Sequence, residues 1–337
     1  MQRTSLNPMR ELFLLVWLWR LVRAEKPDLV HGFTIKCAIY GAAIARLTGA
    51  ARVSSVAGMG YVFISNEPKA RALRPFVRLL LRLALGGTRA RLILQNPDDV
   101  EFFHKAQLVA PHQIRLIPGS GVDCKRFLPP SAPASDRSDG PLKVVLAARM
   151  LWDKGIGEFV DAARRLLAEK RRLRFILAGD PDPGNPASIH EDTLRDWQSN
   201  GLVEWLGHVD DMPALLAGAD IVVLPSYREG LPKSLIEAAA CARPLITCDV
   251  PGCRHVVRDG VDGLLVPPRD AEALARAIRA LQDDPARAAR LAHSARLRAL
   301  NEFDERVVIE RTLGTYDELL TDHGPYRARV ATAPDTG

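Results

Sequence analysis

Short apolar runs, each followed by a helix-like stretch, recur from Asp28 to Val266, and this alternation constrains the fold more than any other feature of the chain. A strand that joins a parallel neighbour needs a long crossover, and helical crossovers cover both faces of the sheet. The pattern therefore predicts an α/β fold built on doubly wound parallel sheets. In the first part it gives a helix over 7–24 stopped by Pro27, a strand over 28–32, a helix over 35–48 and a strand over 52–56. A glycine-punctuated stretch over 57–68 leads to a helix over 70–85, a strand over 90–95, a helix opened by Asn96-Pro97 and a further strand near Ile114. Residues 129–140 hold three prolines and little to bury, which reads as a linker. Beyond it the alternation restarts, with strands over 143–148, 174–178, 203–206, 220–224, 244–247 and 263–266 and a helix over 155–170. Helices over 270–283, 285–300 and 303–320 close the chain.

At 337 residues the chain suits two cores. The expected division is a first Rossmann-like domain over 1–128, the linker, a second Rossmann-like domain over 141–302, and a helix and tail over 303–337. Two such domains are expected to hold a ligand in a cleft at the carboxyl ends of their strands. The net charge of +6 hides an asymmetry: residues 1–128 carry 19 Lys and Arg against 8 Asp and Glu, a net of +11, leaving −5 for the rest. A basic first half suggests an anionic partner: nucleic acid, lipid headgroups or a phosphorylated substrate. The five cysteines are an odd number with no C-x-x-C pair, so a reducing cytoplasm fits better than a disulfide framework or a zinc ribbon. Leu12 to Trp19 is the longest apolar run, far short of the roughly 20 residues a membrane span needs. Arg20 and Arg23 stand where a signal peptide would carry its cleavage site, which argues against secretion.

The most informative stretch is Pro225 to Glu237, directly after the strand ending at Leu224. Glu229 falls in a strand-to-helix loop, Pro232 suits a first helical turn, and the N–H groups of Lys233, Ser234 and Leu235 are the unpaired donors of a helix start, which favour phosphate. Carboxylates on either side of that point can accept from hydroxyls. Together these features suit a nucleotide sugar, although two glutamates eight apart also arise as a loop acid and a solvated helix acid. A second cluster, Arg149 to Gly155, follows the first strand of the second domain, so Arg149 and Lys154 emerge at the same sheet edge as Glu229. Two cations there can neutralise a diphosphate and stabilise it as a leaving group without a metal. Asp180-Pro-Asp182 is weighed as a metal-binding Asp-x-Asp pair, but its Pro-Gly-Asn-Pro surroundings read first as a turn.

Glu229-x7-Glu237, Arg149 with Lys154-Gly155, Gly121-Val-Asp123 with Phe127, and Asp259-Gly-x-x-Gly263-Leu-Leu-Val resemble family 4 of the glycosyltransferases, over nearly the whole chain. These are retaining enzymes of the two-Rossmann-domain GT-B fold. The resemblance implies that Arg149 and Lys154 hold the donor diphosphate, Glu229 the donor sugar and Glu237 the ribose, with Gly230 and Leu231 also at the donor. Glu229, Arg149 and Lys154 are the implied catalytic set, with no cofactor and no metal. Val30 to Thr34, Gln95 to Asp99 and Gly179 to Ile189 resemble a subgroup that builds bacterial capsule, O-antigen or other glycans on undecaprenyl diphosphate. The implied donor is a UDP-sugar, the acceptor a lipid-linked sugar or glycan, and the site of action the inner face of the plasma membrane.

Two departures from the family stand out. Relatives open with a strand and a glycine-containing loop, whereas this sequence begins at what resembles their third helix, so the first domain is expected to be incomplete and an in-frame upstream extension to supply the missing strand. Ala57 stands where many relatives have a histidine; His31 is the nearest substitute, although a histidine at a strand end is more often a satisfied core residue.

Arg71, Arg74, Arg78 and Arg82 fall within an arc of about 80 degrees on a helix. That face suits anionic lipid, or is simply solvated; nucleic acid is disfavoured because no recognition motif accompanies it. The absence of G-x-S-x-G, H-E-x-x-H, P-loop and G-x-G-x-x-G removes serine hydrolase, zincin, P-loop nucleotidase and classical dehydrogenase readings. A non-catalytic nucleotide-sugar-binding partner and a sugar-nucleotide epimerase of the same fold are the alternatives to a transferase.

Overall fold

The computed structural model describes residues 8–56, 68–130 and 140–320. Two compact units divide the chain: Met1–Pro118 with Val308–Gly337, and Gly119–Val307.

The first unit runs α1 (Pro8–Glu25), β1 (Leu29–Phe33), α2 (Ile35–Thr48), β2 (Ala51–Val56), α3 (Pro68–Leu85), β3 (Ala90–Leu94), α4 (Pro97–Lys105) and β4 (Ile114–Leu116). The strands pair in chain order, all parallel. Local chemistry sets the helix ends. Asn96 caps α4 by accepting the Asp99 N–H at 2.8 Å, ahead of Pro97, whose missing N–H costs nothing in a first turn. One face of the sheet buries Val56, Leu92 and Leu94 against Ala38 and Ala42 of α2, Leu81 and Leu85 of α3 and Phe103 of α4. On α1, Met9, Leu12, Phe13 and Trp17 are exposed.

The second unit runs β5 (Leu142–Ala147), α5 (Ile156–Ala168), β6 (Leu173–Ala178), α6 (Glu191–Ser199), β7 (Glu204–Trp205), α7 (Met212–Ala217), β8 (Ile221–Leu224), α8 (Lys233–Ala240), β9 (Leu245–Cys248), α9 (Cys253–Val256), β10 (Leu264–Val266), α10 (Ala271–Asp283) and α11 (Pro285–Arg298). A last helix, α12 (Glu305–Leu320), follows. The parallel sheet has the order β10-β9-β8-β5-β6-β7. Alternate residues feed opposite cores: Val144, Leu146, Phe175 and Leu177 meet Phe159 and Ile278, whereas Val145, Ile176 and Val222 meet Leu235, Ala299 and Phe303. Burial on both faces explains why these strands read as continuous apolar runs.

The unit boundary differs from the composition-based one. Residues 119–128 belong to the second unit, because the Val122 N–H donates to Phe303 O at 2.9 Å, the Glu305 N–H donates to Val122 O at 3.0 Å, and Phe127 is buried in the second core. The C-terminal part of α12 belongs to the first unit, where Val308, Leu319 and Leu320 cover Val53 and Ile93. A Pro-rich stretch marks where little is buried; packing decides which residues move together. Ala57 lies outside the described residues, as do the side chains of Arg71 and Arg74.

Candidate active site

Strand order locates the site. The chain leaves β5 in one direction through β6 and β7, then returns to build β8, β9 and β10 on the other side. The loops after β5 and β8 therefore diverge at a topological switch point, where open α/β sheets bind ligands beyond the carboxyl ends of their strands. Lys154 lies on the first of these loops and Glu229 on the second.

The loop after β5 is held from both sides. Toward β6, the Met150 N–H donates to Asp180 O at 2.9 Å and the Trp152 N–H to Ala187 O at 2.9 Å. Toward β8, Asp153 O accepts the Tyr227 N–H at 2.9 Å and the Ser226 hydroxyl at 3.1 Å. A 3-10 turn, Trp152–Lys154, ends at Gly155 with φ of 72°, and a Cβ at Gly155 would stand 2.7 Å from the Pro225 carbonyl carbon. Only glycine permits both that backbone and that approach. Glu229 is fixed from its far side. Its N–H donates to Pro251 O at 3.1 Å, and Gly252, with φ of 85°, lies so close that a Cβ would stand 2.6 Å from the Glu229 carbonyl carbon.

This framework brings Lys154 and Glu229 into a direct ion pair, with side chains 18% and 14% exposed. A pair so withdrawn from water is stabilising only where the geometry is good and the remaining polar atoms find partners. Arg149 emerges at the same edge but turns toward β6, where its Nη1 meets Asp182 Oδ2 at 2.6 Å; it remains 44% exposed. Asp182 lies in a turn, its N–H donating to Ser188 Oγ at 2.9 Å and its carbonyl accepting the Asn185 N–H at 2.8 Å. Asp180 faces His208 at 3.8 Å.

Helix α8 starts after Pro232 with no side-chain cap, so the donors of its first turn are not met by a capping side chain. Glu237 lies one turn in and is largely buried. Burial raises its carboxyl above the ordinary glutamate range, against the pull of Lys233, 3.6 Å away, and of Arg126. Such a carboxyl gains from a hydroxyl donor. Leu231 packs beside Gly119, whose Cβ would stand 3.0 Å from Leu231 Cδ2, and Gly230 connects Leu231 to Glu229. A cavity of about 340 Å³ lies next to the helix start, lined by Ser120, Asp123, Arg126 and Lys233 among others.

His31 is a satisfied interior residue of the first unit. Its Nδ1 lies 2.6 Å from the Tyr316 hydroxyl and its Nε2 2.7 Å from Ser55 Oγ, the ring stacks on Phe33, and burial pulls its pKa down to about 4. Sequence reasoning missed the groups that hold the two loops: Tyr227, two residues before Glu229, and Glu158, four beyond Lys154. The signal was present in Tyr227, an aromatic residue inside a polar loop.

The sequence model of the family described as Glycosyl transferases group 1 matches residues 141–284, and that of Glycosyl transferase 4-like matches residues 2–96. The N,N'-diacetylbacillosaminyl-diphospho-undecaprenol alpha-1,3-N-acetylgalactosaminyltransferase of Campylobacter jejuni is 29% identical over 327 residues, covering 94% of this chain and 84% of its own. The UDP-Gal:alpha-D-GlcNAc-diphosphoundecaprenol alpha-1,3-galactosyltransferase of Escherichia coli is 27% identical over 292 residues, covering 83% and 73%. Among solved structures, Anabaena HepE in complex with UDP matches with a TM-score of 0.73 at 22% identity, covering 90% of this chain and 81% of its own, a likeness of fold. The chain thus carries a glycosyl transferases group 1 domain and a glycosyl transferase 4-like domain on a GT-B fold, and it is a glycosyltransferase.

Proposed function

We propose that the protein transfers a sugar, with retention of anomeric configuration, from a UDP-sugar to a sugar carried on undecaprenyl diphosphate or a related glycan, in the synthesis of bacterial surface polysaccharide. The observation that carries this reading is the Lys154–Glu229 pair at the switch point beside an uncapped helix start. Lys154 and Arg149 take the donor diphosphate together with the first-turn N–H groups of α8, Glu229 takes the sugar, Glu237 takes the ribose hydroxyls, and Gly230 and Leu231 complete the donor wall. As the bond from the anomeric carbon to the phosphate oxygen breaks, charge grows on the diphosphate, where fixed cations and a helix dipole stabilise it. Arg149 must exchange Asp182 for phosphate on donor binding, and its exposure makes that exchange accessible. The choice of UDP and of a lipid-linked acceptor draws on the names of the Campylobacter and Escherichia proteins and on HepE, which carries UDP.

No cofactor or metal enters this reading, and nucleic acid is not a partner in it. The acceptor puts the protein at the inner face of the plasma membrane, held peripherally, with the arginines of α3 against anionic headgroups. Among the described residues no helix is long and apolar enough to cross a membrane. Arg78 is exposed, and Arg82 donates to Gln107 O at 2.9 Å and Ala106 O at 3.2 Å, which leaves it exposed as well.

Titration calorimetry of the full chain with UDP tests the donor site. Loss of one charge-assisted phosphate contact, about 1.5–3 kcal/mol, corresponds to roughly tenfold or more in affinity for Lys154→Ala. Unchanged affinity in both Lys154→Ala and Glu237→Ala would overturn the assignment.

A further inference from the structure

A cluster beside the Lys154–Glu229 pair has no task in the donor reading. The Tyr227 hydroxyl donates to Glu158 Oε1 at 2.7 Å, in the first turn of α5. The other carboxylate oxygen of Glu158 is shut off from solvent and has no hydrogen-bond partner. Arg269 lies across the Tyr227 ring, its guanidinium carbon 4.6 Å from the ring centre, on a left-handed backbone with φ of 62°. Burial and the hydrogen bond to Glu158 push the phenol well above its ordinary range, so its hydroxyl stays a donor. An orphaned carboxylate oxygen and a left-handed arginine are both unfavourable, and such features persist where the surroundings over-determine them, often beside functional sites. Here both meet on one ring, two residues from Glu229.

The connectivity says what the ring does. Tyr227 ties to the Lys154 loop at two levels, through its N–H to Asp153 O and through its hydroxyl to Glu158, one helical turn beyond Lys154. The first bond holds the backbone of the β8–α8 loop. The second, further out, fixes the rotation of that segment about the first, and hence the direction in which Glu229 meets Lys154. We propose that Tyr227 and Glu158 are positioning residues for sugar transfer, their hydrogen bond setting the register of Lys154 against Glu229. The proposal rests on the reading that these two residues hold the donor.

The test measures kcat, donor KM and thermal midpoint for the full chain with an undecaprenyl-diphosphate-linked N-acetylhexosamine present as acceptor, following UDP release from UDP-glucose, UDP-galactose and their N-acetylamino counterparts. Misplacement of a reacting group by about 1 Å can cost on the order of a hundredfold. Tyr227→Phe, which deletes one oxygen, is expected to lower kcat by about tenfold, with donor KM within about threefold and the midpoint nearly unchanged. Glu158→Gln keeps a carbonyl acceptor for the phenol and should retain most activity, whereas Glu158→Ala should match Tyr227→Phe. The double variant Tyr227→Phe/Glu158→Ala should be no worse than either alone, because the two groups share one task. Should Tyr227→Phe fail to fold, the contrast between Glu158→Gln and Glu158→Ala carries the same test. Wild type without UDP release, or Lys154→Ala with full activity, would remove the donor reading itself. With those controls as expected, kcat of Tyr227→Phe within twofold of wild type, or losses that multiply in the double variant, would overturn the positioning role.

Discussion

Replacing Gly155 by alanine tests whether the turn carrying Lys154 depends on its approach to the β8 loop. The added methyl would stand 2.7 Å from the Pro225 carbonyl carbon and 2.8 Å from its Cγ, where ordinary contact begins near 3.4 Å. The Pro225 carbonyl oxygen stands closer still, so the turn and Pro225 must part by more than the 0.7 Å by which the carbonyl carbon falls short of ordinary contact. Gly201 supplies the control: its φ of 70° nearly equals the 72° of Gly155, but nothing lies within 4 Å of its added Cβ. Both substitutions carry the left-handed penalty of about 1–2 kcal/mol, reduced by about 0.4–1 kcal/mol because alanine restricts the unfolded chain. Gly155→Ala alone adds overpacking, about 1–3 kcal/mol. At about 2–4 °C per kcal/mol for a unit of this size, its thermal midpoint should fall by roughly 2–18 °C, and by more than that of Gly201→Ala, which carries no overpacking. Sugar transfer should fall with it, because the parted segments carry Lys154 and Glu229. Equal midpoints for the two variants, or full activity in Gly155→Ala, would show that the site does not depend on this close approach.

His31 makes a pH-dependent contribution of known sign. Its folded pKa of about 4 lies below the ordinary 6.5, so the contribution is complete above pH 6.5 and is lost as pH falls toward 4. The stability difference between wild type and His31→Gln, measured by urea unfolding, should shrink over that window; a constant difference would contradict a buried neutral imidazole. Membrane attachment through α3 predicts that co-sedimentation with vesicles containing phosphatidylglycerol falls in high salt. It should fall again when Arg71, Arg74, Arg78 and Arg82 become glutamine, and equal binding to neutral vesicles would count against it.

The strands were legible because each is a dense apolar run cut off by charge, glycine or proline. β6 was expected over 174–178 and spans Leu173–Ala178; β8 was expected over 220–224 and spans Ile221–Leu224. β7, expected over 203–206, spans only Glu204–Trp205, with the Leu206 N–H still donating to Leu177 O of β6 at 2.9 Å. Lys154 and Glu229 could be brought to one edge from sequence because both follow parallel strands, whose carboxyl ends share a side. Side-chain direction was not legible: that Arg149 turns to Asp182 and Tyr227 to Glu158 depends on rotamers and on contacts made by distant loops. The unit boundary was hidden for a related reason. Val122 and Phe127 stand close before a proline-rich stretch, and only their pairing with Phe303 and the second core assigns them.

One site, built on Lys154 and Glu229, is proposed to move a sugar from UDP to a lipid-linked acceptor. The direct measurement incubates the full chain with each UDP-sugar and an undecaprenyl-diphosphate-linked N-acetylhexosamine in detergent, following UDP release and the anomeric configuration of the product by NMR. The expected product is a lipid-linked disaccharide with the anomeric configuration of the donor, formed by wild type and reduced at least tenfold in Lys154→Ala. A product of inverted configuration, or turnover unaffected by Lys154→Ala and Glu229→Gln, would contradict it.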